Sequence, residues 1–180
     1  MIIRQAGKAD IDGLLALLHE VLELHAKEYP NIFISGTTKY SSEELRQLIE
    51  EDEKTMILVA EEDKKVIGHA FLKLIDNPGT RNTYPSKVLY IDDICVDEAA
   101  RGKHVAKSLF EEVRKYAEKE GFDRIELNVW EKNTVAKAFY GTGCWNTRKY
   151  REVTENFESL YQQRLQMHDK PLSEIGRAHV

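Results

Sequence analysis

Two consecutive aspartates, Asp92 and Asp93, interrupt a run of Val, Leu, Ile and Tyr between Lys87 and Val96. A carboxylate pair on an apolar strand is expensive unless it serves a purpose, and a carboxylate can take a proton from an amine or hold its charge. Adjacent strand residues face opposite ways, so at most one of the two is expected to point straight into a given cleft. Beyond the strand comes Arg101-Gly102-Lys103-His104-Val105-Ala106, and then a helical period of apolar residues: Val105, Ala106, Leu109, Phe110, Val113, Tyr116 and Ala117. A turn that feeds a strand into a helix gathers free backbone N–H groups and the positive end of a helix dipole. That chemistry suits an anion, above all phosphate.

The elements around this stretch follow from spacing. Ile2 to Gln5 predicts an edge strand, and Asp10 is expected to cap a helix from about Ile11 to Tyr29, ended by Pro30. Ser41 and Glu44 form a capping-box pattern for a second helix, Ser42 to about Glu51. Thr55–Glu61 and Val66–Ile75 read as a hairpin, with Gly68 suggesting a bulge or a close backbone approach. Gly121 stops the central helix. Arg124–Trp130 reads as a strand, and Asn133 caps a short helix from Thr134 to Tyr140. A last strand fits Trp145–Val153, and a short helix fits the region of Phe157 to Leu165. This order predicts an α/β (α+β) fold: a mixed, mostly antiparallel sheet with helices on both faces.

Composition sets bounds. The 180 residues suit one domain. A net charge of −5 argues against binding nucleic acid through a broad basic surface. Cys95 and Cys144 make neither a disulfide framework nor a metal-ligand spacing, and Cys95 reads as a small core residue. No metal, nucleic-acid or membrane partner is expected, and the location inferred is a reducing cytoplasm.

The motifs carry a resemblance. Arg101 to Ala106 is similar to the acetyl-CoA motif Gln/Arg-x-x-Gly-x-Gly/Ala of the GCN5-related N-acetyltransferase (GNAT) superfamily: Arg101 and Ala106 match, and His104 replaces the first glycine. The signature Asn-x-x-Ala-x-x-Phe-Tyr is matched by Asn133, Ala136, Phe139 and Tyr140. The likeness covers roughly residues 1–150, and places an acetyltransferase domain at 1–153. Residues 154–180 are expected to be a tail, an artefact of a truncated gene model, because Ile175 to Val180 looks like translated adapter sequence.

The resemblance implies an N-acetyltransferase that moves the acetyl group of acetyl-CoA to a primary amine by direct attack in a ternary complex. It implies pyrophosphate binding by the turn amides, with Arg101, Gly102, Lys103, His104, Val105 and Ala106 as cofactor-binding residues. His104 is expected to keep a helical backbone and to face solvent. Amides near Ile94, Cys95 and Val96 would contact the acetyl-CoA arm in a gap between strands four and five. Asn128 is a candidate for lining that gap, and equally readable as a strand-surface residue. Asn133 is counted with the cofactor residues. Tyr140 would protonate the departing thiolate. Asp92 stands where related enzymes place a base, with Asp93 the alternative or a holder of a second charge. The acceptor region would draw on Leu24–Tyr40, where His25, Glu28, Tyr29 and Phe33 are candidates, on Asp76–Ser86, where Tyr84 is one, and on the region after Gly143. The two acids favour a cationic amine, on a small molecule or a protein. A homodimer is left open. The alternative is an idle acyl-CoA-binding or regulatory module on the same fold.

Overall fold

The structure is a computed structural model that describes residues 1–141. Residues 1–127 belong to one compact unit and 128–141 to a second. The expected strand at Trp145–Val153, the later helix and the tail lie outside the described residues.

The elements run β1 (Ile2–Gln5), α1 (Ile11–Glu28), α2 (Ser42–Glu50), β2 (Thr55–Glu62), β3 (Lys65–Asn77), β4 (Ser86–Val96), α3 (Val105–Lys119), β5 (Arg124–Leu127) and α4 (Thr134–Gly141). The sheet order is β1-β2-β3-β4-β5. The first three pairings are antiparallel, and β4 and β5 are parallel. A parallel pair needs a long crossover, and α3 supplies it. The predicted mixed, mostly antiparallel α/β sheet is therefore the observed one.

Alternation along β3 separates the two faces. Phe71 joins Ile57, Val59 and Cys95 under Leu14, Leu17 and Leu18 of α1 and Leu45 of α2. Gly68, Ala70 and Leu72 turn the other way. A Cβ on Gly68 would lie 3.1 Å from Val105 Cγ1 and 3.2 Å from Leu109 Cδ1, so the missing side chain lets α3 settle close on that face. Fully burying a Leu or Phe contributes about 1.5–3 kcal/mol, which makes these two layers the main cohesion of the sheet.

The helix ends obey local rules. Ser41 and Glu44 form the reciprocal capping box at the start of α2. After α3, Phe122 N donates to Ala117 O (2.9 Å) and Gly121 N to Glu118 O (3.3 Å), with Gly121 at φ 71°. This is the Schellman closure, and the Tyr116–Phe122 ring contact covers it.

Asp10 differs from expectation. Its side chain does not cap α1. Lys8–Asp10 instead forms a 3-10 turn, and the carboxylate receives both Arg4 guanidinium nitrogens (2.7 and 2.8 Å) and the Gly7 amide (2.8 Å). A bidentate arginine is a stronger partner than a single amide. Asp10→Ala should cost about 2 kcal/mol in urea unfolding at pH 7, because Arg4 and the Gly7 N–H lose their acceptor. Arg4, against the opposing pull of burial, holds the Asp10 carboxyl below its ordinary value of 3.8. Its contribution is present above that value and is lost as pH falls, so the gap between wild type and variant should close in acid.

Candidate active site

The β3–β4 register slips by one residue at the aspartates. Phe71 pairs with Asp93 and Leu72 with Ile91, which leaves Asp92 as the extra residue of a β-bulge. The bulge resets the alternation. Asp92 Oδ2 accepts from Lys39 Nζ (2.7 Å) and its Oδ1 from Lys73 Nζ (3.1 Å). Asp93 Oδ2 lies 3.0 Å from His69 Nε2. His69, Phe71 and Lys73 alternate onto one face of β3, so both carboxylates reach that face. The expectation that only one could do so is corrected: the rule of opposite faces holds for a regular strand, and the inserted residue breaks it.

The bulge also marks where β4 and β5 part. Their pairing covers Val88–Ile91 against Arg124–Leu127. Beyond Ile91 no described strand pairs with that side of β4. Asp97 N donates to Ile67 O (3.0 Å), so by alternation the backbone groups of Cys95 face β3 while those of Ile94 and Val96 face away. Of the three expected amides, Ile94 and Val96 are thus the ones on the open side. The Cys95 thiol is buried against Leu17 O at 3.8 Å. Burial first, then the Asp93 and Glu20 charges, push it up to about 12. It is a core residue and a poor nucleophile.

Around the acid pair the electrostatics are uneven. Burial raises the Asp92 carboxyl, but the Lys39 and Lys73 ammoniums together outweigh it and hold the group below its ordinary value. Tyr40 stacks on Phe71 (5.6 Å between centroids), and burial, reinforced by Asp92 and Asp93, raises its phenol. His69 is fully buried, edge-on to Phe71, and gives one nitrogen to Asp93. Its Nδ1 is buried without a hydrogen-bond partner among the described residues. His25 stacks on Phe33 at 5.0 Å. Burial lowers its imidazole, the Asp93 charge opposes this, and Lys39 adds to it. Lys39 and Tyr40 lie in the Leu24–Tyr40 stretch expected to serve the acceptor but were not singled out there, and His69 and Lys73 were not expected from sequence. A histidine inside the apolar run Val66–Leu72 was the one legible hint of the four.

The turn before α3 departs from expectation at His104, which adopts φ 62°, ψ 17°. This is the left-handed region, the conformation that a glycine takes without cost. Gly102 is also at positive φ, 79°. The residue at the glycine position is thus held where the backbone needs glycine, not in the helical conformation anticipated. The first helical bond is Ser108 N to His104 O, and His104 makes no side-chain cap. Helix geometry therefore leaves the Val105, Ala106 and Lys107 amides without partners inside α3. Left-handed residues beside a helix start form an anion-binding nest. Lys103 and His104 are exposed beside it. The Arg101 guanidinium turns back instead, to Glu20 of α1 and the Val96 carbonyl (3.3 Å). It ties the turn to α1 and β4.

In the second unit, Asn133 Oδ1 accepts from Ala136 N (2.9 Å), which is the expected cap of α4. Tyr140 is buried, with its ring edge-on to Phe139 at 4.9 Å. Asn128 is half-buried just after β5. Among the described residues no group of three or more His, Cys, Asp or Glu could hold a metal ion, and no helix is long and apolar enough to cross a membrane.

Two outcomes test this geometry. A left-handed non-glycine residue costs roughly 1–2 kcal/mol, part of which glycine returns through its freer unfolded chain. His104→Gly should therefore stabilise the protein by about 0.5–1 kcal/mol in thermal or urea melts. An unchanged or lower stability would show that the His104 side chain compensates for its backbone. His25 is lowered in the fold, so as pH falls below 6.5 the unfolded chain takes the proton first. Stability should decline from pH 7.5 to 5.5, and His25→Gln should flatten that decline.

The chain matches the Acetyltransferase (GNAT) family over residues 18–144. A mutant of the BH1408 protein from Bacillus halodurans is 31% identical, with a TM-score of 0.75, over 85% of this chain and 98% of that one. The PaiA N-acetyltransferase from Thermoplasma acidophilum, in complex with coenzyme A, is 23% identical with a TM-score of 0.63 (78% and 86% covered). An aminoglycoside acetyltransferase from an uncultured soil metagenomic sample, in complex with sisomicin, shares the fold at 16% identity and a TM-score of 0.63 (86% and 92% covered). A comparison with curated proteins finds no match. The family match spans well over half of the sequence, including the parted strands and the uncapped turn, and the chain belongs to the acetyltransferase (GNAT) family.

Proposed function

We propose that this protein is an acetyl-CoA-dependent N-acetyltransferase that acts on a primary amine by direct attack in a ternary complex. The observation that carries the reading is the bulge at Asp92. It turns two carboxylates onto the α1 face of β4, beside Ile94 and Val96, where no described strand pairs with the outer side of β4. The uncapped start of α3 fits a pyrophosphate: the free amides of Val105, Ala106 and Lys107 donate, and Lys103 adds positive charge. Bound there, acetyl-CoA supplies the activated acyl group.

The residues divide the remaining work. Ile94 or Val96 N–H polarises the thioester carbonyl as its oxygen gains charge. Asp93 takes the proton from the acceptor ammonium, directly or through water. Asp92 is left to a charge-holding role, because two lysine ammoniums stabilise its ionised form and so reduce its proton affinity. His69 fixes the Asp93 carboxylate in place. Tyr140, by its family position, donates to the departing thiolate; a phenol of pKa ~10 matches a thiol's basicity without large retuning.

Thiol release from acetyl-CoA with a panel of amines tests the assignment. Asp93→Asn should lower kcat by about 100-fold or more while coenzyme A affinity persists, and Asp92→Asn should cost less. Tyr140→Phe should lower kcat and likewise spare coenzyme A binding. Equal turnover in Asp93→Asn and wild type would remove Asp93 from proton transfer. Thermal stabilisation by coenzyme A with no turnover on any amine would leave the idle acyl-CoA-binding module instead.

A further inference from the structure

The acid pair is not a simple acidic pocket, and its partners point to the acceptor's chemistry. This inference rests on the acetyltransferase reading above. Each Asp92 oxygen receives its own ammonium: Lys39 Nζ on Oδ2 and Lys73 Nζ on Oδ1. The Lys39–Asp92–Lys73 group therefore carries a net positive charge. Asp93, the next residue, carries a negative one, and its partner His69 can offset it only if protonated. His69 is fully buried, and its Nδ1 has no hydrogen-bond partner among the described residues, so its one hydrogen-bond contact there is Nε2 to Asp93. A positive and a negative centre thus stand one residue apart, about 3.8 Å between Cα atoms, on a half-exposed surface. The Lys39 and Lys73 side chains remain 40% and 47% exposed, so each ammonium keeps donors free for an incoming anion.

We propose that the acceptor is an amine that carries its own carboxylate, of the free amino-acid class. Asp93 receives the ammonium, and the Lys39 and Lys73 ammoniums receive the carboxylate. An α-amino acid presents both charges on one small molecule, and Asp93 directly follows the residue that holds both lysines. A polyamine or aminoglycoside brings further ammonium groups, which would meet the two lysines with like charge. In the reaction the amine nitrogen bonds to the acetyl carbon and the C–S bond breaks. One ammonium proton passes to Asp93 before attack; the nitrogen sheds a second as the amide forms, which replaces the proton that Tyr140 gives to the departing thiolate. The product is an N-acetylamino acid that retains its carboxylate.

The full chain is assayed for thiol release from acetyl-CoA with the standard amino acids, the carboxamide of each, and spermidine. Removing the carboxylate should lower kcat/KM by about tenfold or more for the best substrate, chiefly through KM. The double variant Lys39→Met/Lys73→Met should abolish this preference, and Lys39→Arg/Lys73→Arg should keep it. A thermal melt separates loss of fold from loss of preference. Equal rates for acid and carboxamide, or a preference for spermidine, would overturn the inference alone. Silence with every amine would overturn the acetyltransferase reading and this inference together.

Discussion

One extra residue in β4 governs the rest of the site. A regular strand would pair with both neighbours along its length and send Asp92 and Asp93 to opposite faces. The bulge does neither. It turns both carboxylates toward the α1 face, where Lys39, Tyr40, Lys73 and His69 meet them. It also coincides with the end of β5 pairing, which leaves the outward N–H groups of Ile94 and Val96 without a strand partner among the described residues. A sheet edge inside a folded protein is a liability unless something pairs with it. In the proposed function, the acyl-CoA arm is what pairs with that edge.

The turn after β4 spends stability in the same way. Two residues at positive φ, one of them histidine, set up a helix start that its own side chains leave uncapped. An N-cap side chain contributes typically ~1 kcal/mol, and α3 forgoes it. Its fold is secured elsewhere, by Val105, Leu109, Val113 and Ala117 against the sheet and by the Schellman closure at Gly121. Arg101 serves this support as well: through Glu20 and the Val96 carbonyl it fixes the turn relative to α1 and β4. A motif arginine can thus act by positioning amides, with no need to touch a phosphate itself.

Charge around the Asp92–Asp93 pair is balanced rather than acidic. Counting aspartates along the sequence suggests a site for cations, whereas the folded neighbourhood gives Asp92 two ammoniums from distant segments. The two acids consequently differ: one is held ionised by lysines, the other is backed by a buried imidazole. Identical side chains acquire different roles from different partners, and the partners arrive only through tertiary structure.

The sequence by itself determined the elements. Helical and strand periods, the Ser41–Glu44 box, the Gly121 stop and the Asn133 cap are local, because each depends on residues within a turn or two. It also determined the family, since Arg101 to Ala106 and Asn133 to Tyr140 are short runs on identifiable elements. Three features were decided only by the fold. Asp10 prefers Arg4 of β1, which also donates to Glu61 of β2, to a helix start, because a bidentate guanidinium outcompetes one amide. His104 is left-handed because the chain must turn there from β4 into α3, and the residue type yields to that path. The faces of Asp92 and Asp93 depend on a register slip between β3 and β4, and register is a relation between two strands that neither strand's residues state alone.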